Sequence, residues 1–354
     1  PSAAVDGNPR QFVNIFSDYS DYYNINGLSI IESGGSPDTI IFTAHGEEWS
    51  FVVPYKLFEI DYDEINASDP QYTEIGNSPS NGREVSEMVK IPGSGKLPLI
   101  AIISDDGYGY IEFYDPETRS FVNTAALDIY TETGNTEIAS YCGTTDGENL
   151  YFGTRPVSAS DVGKIYKVDS SLTFDTQPIF IPPSSYYANS GIEKWISSIE
   201  YHDGKLYCGT ASISTKYGGT LFYYDLALSS GVFLGDSTVD STALLVSDMT
   251  VYDNEIYGVV KSTPTISGAV FKISEDNSIE REDLIDPQIG DFSSAFGNTI
   301  CPSPLTDDVA FGMFGHAFAG ISDFYRPASP YMIELYKESD KIYIRLGGSG
   351  DDGE

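Results

Sequence analysis

Six times along this chain a short strand, a tight turn, a second strand, a longer loop and an aromatic-rich third strand follow one another and end in an acidic turn. The plainest copies are LYFGTRPVSASDVGKIYKVD (Leu150–Asp169), LYCGTASISTKYGGTLFYYD (Leu206–Asp225) and IYGVVKSTPTISGAVFKISE (Ile256–Glu275). Fainter copies begin near Ile40, Ile100 and Val309. A unit that recurs about every fifty residues cannot bury its apolar face alone. Neighbouring units must stack, and the period governs the fold.

The strand signals fix the layout. First strands are read at Leu28–Glu32, Ser86–Ile91, Ile138–Gly143, Ile196–Tyr201, Ser247–Tyr252 and Asn298–Ser303. Turn signals follow them, among them Asp203-Gly204 and Asp253-Asn254 between alternating apolar runs, which mark hairpins. Third strands are expected at Lys56–Ile60, Tyr110–Tyr114, Lys164–Val168, Thr220–Tyr224, Ala269–Ile273 and Met332–Tyr336, each with an outer strand after its acidic turn. The expected fold is therefore all-β, a six-bladed β-propeller of four-stranded antiparallel blades, with seven blades as the alternative. Residues 28–346 form the propeller domain in this reading. Residues 1–27 hold Gln11–Phe16 as a ring-closing strand, and 347–354 are a flexible acidic tail.

Composition narrows the partners. Against 19 Lys and Arg stand 53 Asp and Glu, a net charge of −34, which repels nucleic-acid phosphates and anionic lipid surfaces. No apolar run is long enough to insert into a membrane, and Pro1–Arg10 is polar, unlike a signal segment. The setting expected for such a chain is extracellular, periplasmic or cell-surface. Three cysteines, Cys142, Cys208 and Cys301, match no metal or redox spacing and read as buried thiols.

Aligning the repeats places two rings of residues where ligands would meet a propeller. The first, near the entry of each first strand, holds Ser29, Glu87, Ser140, Ser198, Asp248 and Asn298. Glu87, Asp248 and Asn298 are candidate ligands for one Ca²⁺ or Mg²⁺ in the central channel, because hard cations take carboxylate and amide oxygens. A water-filled polar channel is the competing account. The second ring, where second strands end, holds His45, Asp105, Arg155, Ala211, Lys261 and Phe314, with His316 just beyond. Cations are scarce here, so His45, Arg155, Lys261 and His316 on one face suggest a site for a carboxylate or sulfate.

Two long loops add aromatics. Ser184–Trp195 brings Tyr186 and Tyr187, and Phe314–Pro330 brings Phe324 and Arg326. Aromatic faces beside polar groups suit sugar rings or protein hot spots, and equally suit covering the rim of the fold. Glycine-rich phosphate loops, G-x-S-x-G and H-E-x-x-H are missing from the chain.

The phrase LYFGT…GKIYKVD resembles the blade repeat of kelch-like and related propellers, without the kelch double glycine. The D-D-P-A-I-W motif of β-propeller phytases and the Asp-box of sialidases are absent. The resemblance thus implies an architecture and no particular activity. The expected function is a secreted or surface-exposed module that binds a glycan or protein partner through its channel-mouth face. The alternative is a metal-assisted hydrolase or lyase at the same mouth, resting on Glu87, Asp248 and Asn298.

Overall fold

A computed structural model describes residues 22–33, 36–46, 54–61, 72–82, 84–91, 95, 97–102, 108–122, 126–187, 194–212, 219–237, 245–261, 269–282, 295–303, 308–315, 332–338 and 341–347. The expected strand at Gln11–Phe16 and the tail beyond Gly347 lie outside these residues. The chain divides into two compact units, one of residues 1–77 and 326–354, the other of residues 78–325.

The first unit opens with a four-stranded antiparallel sheet in sequence order: β1 (Tyr22–Ser33), β2 (Ser36–Gly46), β3 (Lys56–Asp61) and β4 (Tyr72–Asn77). The second unit carries four further repeats and part of a fifth. Repeat two is β5 (Glu84–Met88), β6 (Leu97–Ile102), β7 (Gly109–Asp115) and the short β8 (Ser120–Phe121). Next come β9 (Leu127–Asp128), which also pairs with β7, and a one-turn helix α1 (Ile129–Glu132). Repeat three is β10 (Glu137–Thr145), β11 (Leu150–Pro156) and β12 (Ile165–Val168). Repeat four is β13 (Lys194–His202), β14 (Lys205–Ser212), β15 (Thr220–Asp225) and β16 (Ser230–Asp236). Repeat five is β17 (Leu245–Tyr252), β18 (Glu255–Lys261), β19 (Ala269–Ile273) and β20 (Ile279–Glu282). The strands β21 (Ala295–Ser303) and β22 (Asp308–Gly315) then pair with each other. A final hairpin, β23 (Met332–Glu338) and β24 (Lys341–Gly347), belongs to the first unit.

The chain is all-β, but four strands per repeat is not uniform. Repeat three has three strands. The outer strand expected at Pro178–Ile181 is reduced to one bridge, Ile165 to Phe180, and the Phe180 ring stacks on Tyr224 of repeat four. Repeats four and five form one eight-stranded sheet, joined through the single pair Ala211–Leu245.

The turns follow their chemistry. Asp203 and Gly204 both have positive φ, 44° and 75°, as do Asp253 and Asn254 at 47° and 65°. That is the type I′ geometry whose twist matches a two-residue hairpin. The acidic turns after third strands are Asx turns. Asp225 accepts from the backbone N–H groups of Ala227 at 3.0 Å and Leu228 at 2.9 Å. Asp169 accepts from Ser171 and Thr173, each at 2.9 Å.

The core lies between repeats. Val89, Ile91, Ile111 and Phe113 of repeat two pack with Leu150, Phe152, Tyr166 and Val168 of repeat three. Cys142, Tyr151 and Ile165 pack in the same way with Ile196, Leu206, Cys208 and Phe222. Each fully buried side chain of this size contributes roughly 1.5–3 kcal/mol. The recurring Gly of LYFGT and LYCGT makes the contact possible. A Cβ on Gly153 would collide with Ile196, and one on Gly209 with Val246. Among the described residues no helix is long and apolar enough to cross a membrane.

Candidate functional site

The first strands of the second unit stand side by side, β5 with β10, β10 with β13, β13 with β17 and β17 with β21. Each carries a β-bulge at the same place, and β10 has a second one between Glu137 and Ala139. Pairing skips Ser86, Tyr141, Ser197, Ser247 and Asn298, and in β1 it skips Gly27. A bulge re-aims the side chains that follow it and raises the local twist, so its repetition keeps the first strands in a common register.

The rung after the bulge holds Leu28, Glu87, Cys142, Ser198, Asp248 and Thr299. This corrects the ring read from sequence. Glu87, Ser198 and Asp248 share a register, whereas Ser140 lies two residues early, Ser29 one late, and Asn298 occupies the bulge itself. Cys142 takes the rung assigned to Ser140. Its thiol donates to the Ile196 carbonyl at 3.6 Å, and Ser140 Oγ donates to the Cys142 carbonyl at 3.0 Å.

Glu87 and Asp248 stand on first strands with two others between them, yet the Asp248 charge is felt at Glu87. Burial, then the charges of Asp248 and Glu200, push the Glu87 carboxyl well above the usual range. Glu87 keeps partial access to solvent, so protein atoms surround it without sealing it off. Glu200 lies two residues beyond Ser198 on the same strand face. Burial, reinforced by Asp248, pushes it up to about 8. Its carboxylate is 3.5 Å from Thr144 Oγ1, which in turn accepts from Tyr201 N–H at 3.1 Å. Sequence reasoning missed Glu200, although its two-residue spacing from Ser198 was the available signal. Among the described residues no three His, Cys, Asp or Glu side chains are grouped to hold a metal ion.

A second, different arrangement stands at the open end of the bulged strands. Arg155, near the end of β11, pairs across the ladder with Ala139, and one of its terminal nitrogens donates to Tyr141 Oη at 3.2 Å. Its guanidinium lies over the Trp195 ring, 5.5 Å from the centroid. Tyr141 is the bulged residue of β10 and Trp195 is the second residue of β13, so Arg155 joins repeats three and four. The backbone beside it is tied together. Thr154 N–H donates to the Lys164 carbonyl at 3.0 Å, and Gly163 N–H donates to the Lys194 carbonyl at 2.7 Å. The backbones of Lys164 and Lys194 are thus tied close to Arg155, in a chain with net charge −34. Lys164 pairs with the buried Glu137 at 2.5 Å, and Glu137 also accepts from Thr154 Oγ1 at 2.5 Å.

The remaining candidates fall differently. At the backbone, Arg155, Ala211, Lys261 and Phe314 occupy equivalent rungs, as the second ring requires. His45 lies one residue beyond its equivalent, Ala44. Asp105, His316, Phe324 and Arg326 lie outside the described residues. Tyr187 is buried, and its hydroxyl donates to the Gly163 carbonyl at 3.0 Å. Tyr186 donates to the Gly231 carbonyl at 2.8 Å and packs with Phe180, Phe222 and Phe233. Tyr186 is engaged with repeat four and Tyr187 with Gly163 of repeat three, so the stacking role expected of them does not fit these contacts. Trp195, read as the last residue of a loop, lies in β13.

No family model and no curated protein matches this sequence. Solved structures do match in shape. Hydrazine synthase from Kuenenia stuttgartiensis is similar over 77% of this chain and 69% of its own, with 10% identity and a TM-score of 0.52. The Dos1 propeller is similar over 89% and 79%, with 11% identity and a TM-score of 0.50. The fold is of β-propeller type. At such identities the likeness speaks for this propeller's fold and not for its activity.

Proposed function

We propose that this propeller, read as six blades, is a binding module whose ligand seats at the corner formed by Arg155, Trp195 and Tyr141. One observation carries the reading: a cation is stacked on a tryptophan and bonded to a tyrosine where two repeats meet, within the scarce positive charge of the chain. A fixed cation stacked on an indole, with a phenol hydroxyl beside it, matches a sugar that bears one carboxylate or sulfate. A polyanion fits poorly, because the surrounding net charge repels it. Glycans of this kind are met on cell surfaces and in secreted material, which places the proposed setting outside the cytoplasm. Nothing in the geometry favours the metal-assisted hydrolase or lyase over this reading.

The test is a glycan array probed with the wild-type chain and with Arg155→Ala and Trp195→Ala. Selective signal on singly acidic glycans is expected. Each variant should weaken it by about 1–3 kcal/mol with Tm little changed. Absence of signal on all glycans, or signal indifferent to both variants, contradicts the reading. A protein partner lost on the same substitutions would move the ligand class and keep the site.

A further inference from the structure

Repeat two supplies a second aromatic group at the same end of the sheets. Tyr108 and Tyr130 meet edge to face, 5.2 Å between centroids and 90° between planes, and both are half-buried. Two devices fix them. Tyr130 sits in α1, whose N-cap Asp128 accepts from Tyr130 N–H at 3.0 Å and from Thr131 N–H at 3.3 Å. Tyr108 precedes Gly109, whose backbone approaches β10 so closely that a Cβ would stand 2.8 Å from Ala139 Cα. Ala139 is the ladder partner of Arg155. The tyrosine pair and the Arg155–Trp195 corner are therefore neighbours across one strand. Their backbones are on the order of 10 Å apart, about two strand spacings.

The two groups differ in charge. Arg155 is the cation at the corner, since the Lys164 ammonium is paired with Glu137. Asp128, the N-cap of α1, and Glu132 in its first turn stand beside the tyrosines. An anionic ring is favoured at the first group and repelled at the second. A neutral ring suits the tyrosine faces.

We infer that Tyr108 and Tyr130 form a second subsite for the same ligand, which is an oligosaccharide with one acidic ring at the Arg155–Trp195 corner and neutral rings extending to the tyrosine pair. The inference rests on the binding reading above and adds the ligand's length and direction. A single acidic sugar fills only the corner. A neutral oligosaccharide fills only the tyrosines.

The experiment measures binding of sialic acid and glucuronic acid, each alone and each joined to a neutral di- or tetrasaccharide. The wild-type chain should hold the joined forms roughly tenfold tighter than the acidic monosaccharides, as one added stacking contact allows. Tyr130→Ala should abolish that length advantage and leave the monosaccharide affinity unchanged. Tyr108→Leu, which keeps an apolar neighbour for Tyr130, serves as the second variant and should do the same. Arg155→Ala should weaken every acidic form. A length advantage that survives both tyrosine variants overturns the second subsite while leaving the corner standing. Binding insensitive to Arg155→Ala overturns the corner, and no binding by any of the panel overturns both.

Discussion

Glu87 and Asp248 occupy the same post-bulge rung of β5 and β17, and after burial the Asp248 charge is the next largest force pushing the Glu87 carboxyl upward. Each accepts from the N–H of the residue that follows it, Met88 at 3.3 Å and Met249 at 2.8 Å. Asp248 also raises the Glu200 carboxyl, so burial and like charge together favour retention of protons on Glu87 and Glu200.

That arrangement sets a pH dependence. The Glu200 carboxyl rises from the usual 4.5 to about 8 in the folded chain. The folded state therefore binds the proton more tightly than the unfolded state. The stabilisation is complete below about pH 4.5 and is lost as the pH rises towards about 8, where the folded state also releases the proton. Glu200→Gln should flatten Tm against pH across that window. At pH 8 it should raise stability by about 1–3 kcal/mol, since partial solvent access reduces the penalty from the full shift. Parallel thermal melts of the two chains at several pH values check this, and equal slopes would refute the assignment.

Gly209 should tolerate no side chain. A Cβ there meets Val246 of the next repeat, so Gly209→Ala is expected to cost about 1–3 kcal/mol through overpacking. Chemical denaturation measures it. A variant as stable as the wild type would mean that the repeats are not held at this close approach.

Tyr187→Phe separates packing from recognition. It removes the hydroxyl donated to the Gly163 carbonyl inside the protein and should cost about 0.5–2 kcal/mol. Glycan affinity should stay the same, because the ring is buried. A loss of affinity with unchanged Tm would return Tyr187 to the ligand face.

The repeat and its turns were legible because their signals are local. Asp-Gly, Asp-Asn and the acidic turns each fix their own backbone. The inner ring was harder. Matching similar letters set Ser140 against Ser198, whereas the hairpin count is the surer ruler: Thr145 to Leu150, Tyr201 to Leu206 and Val251 to Ile256 are equivalent pairs. Counting back from them puts Cys142 opposite Ser198 and Asp248. The corner was half legible. Arg155 and Trp195 drew notice as a cation and an aromatic, but their meeting depends on two repeats packing. Tyr141 joins them because a bulge turns it aside, which no residue pattern announces. Tyr186 and Tyr187 misled because an aromatic loop reads alike whether it faces a ligand or covers an apolar sheet.

The corner is tested most directly through Trp195. The chain has two tryptophans, Trp49 and Trp195, so Trp49→Phe leaves Trp195 as the only indole reporter. Titration with a glucuronic-acid-capped tetrasaccharide should change Trp195 emission saturably, and adding Arg155→Ala should weaken the apparent Kd at least about tenfold. Emission that does not respond while calorimetry shows the same sugar binding would place the ligand elsewhere and contradict the account.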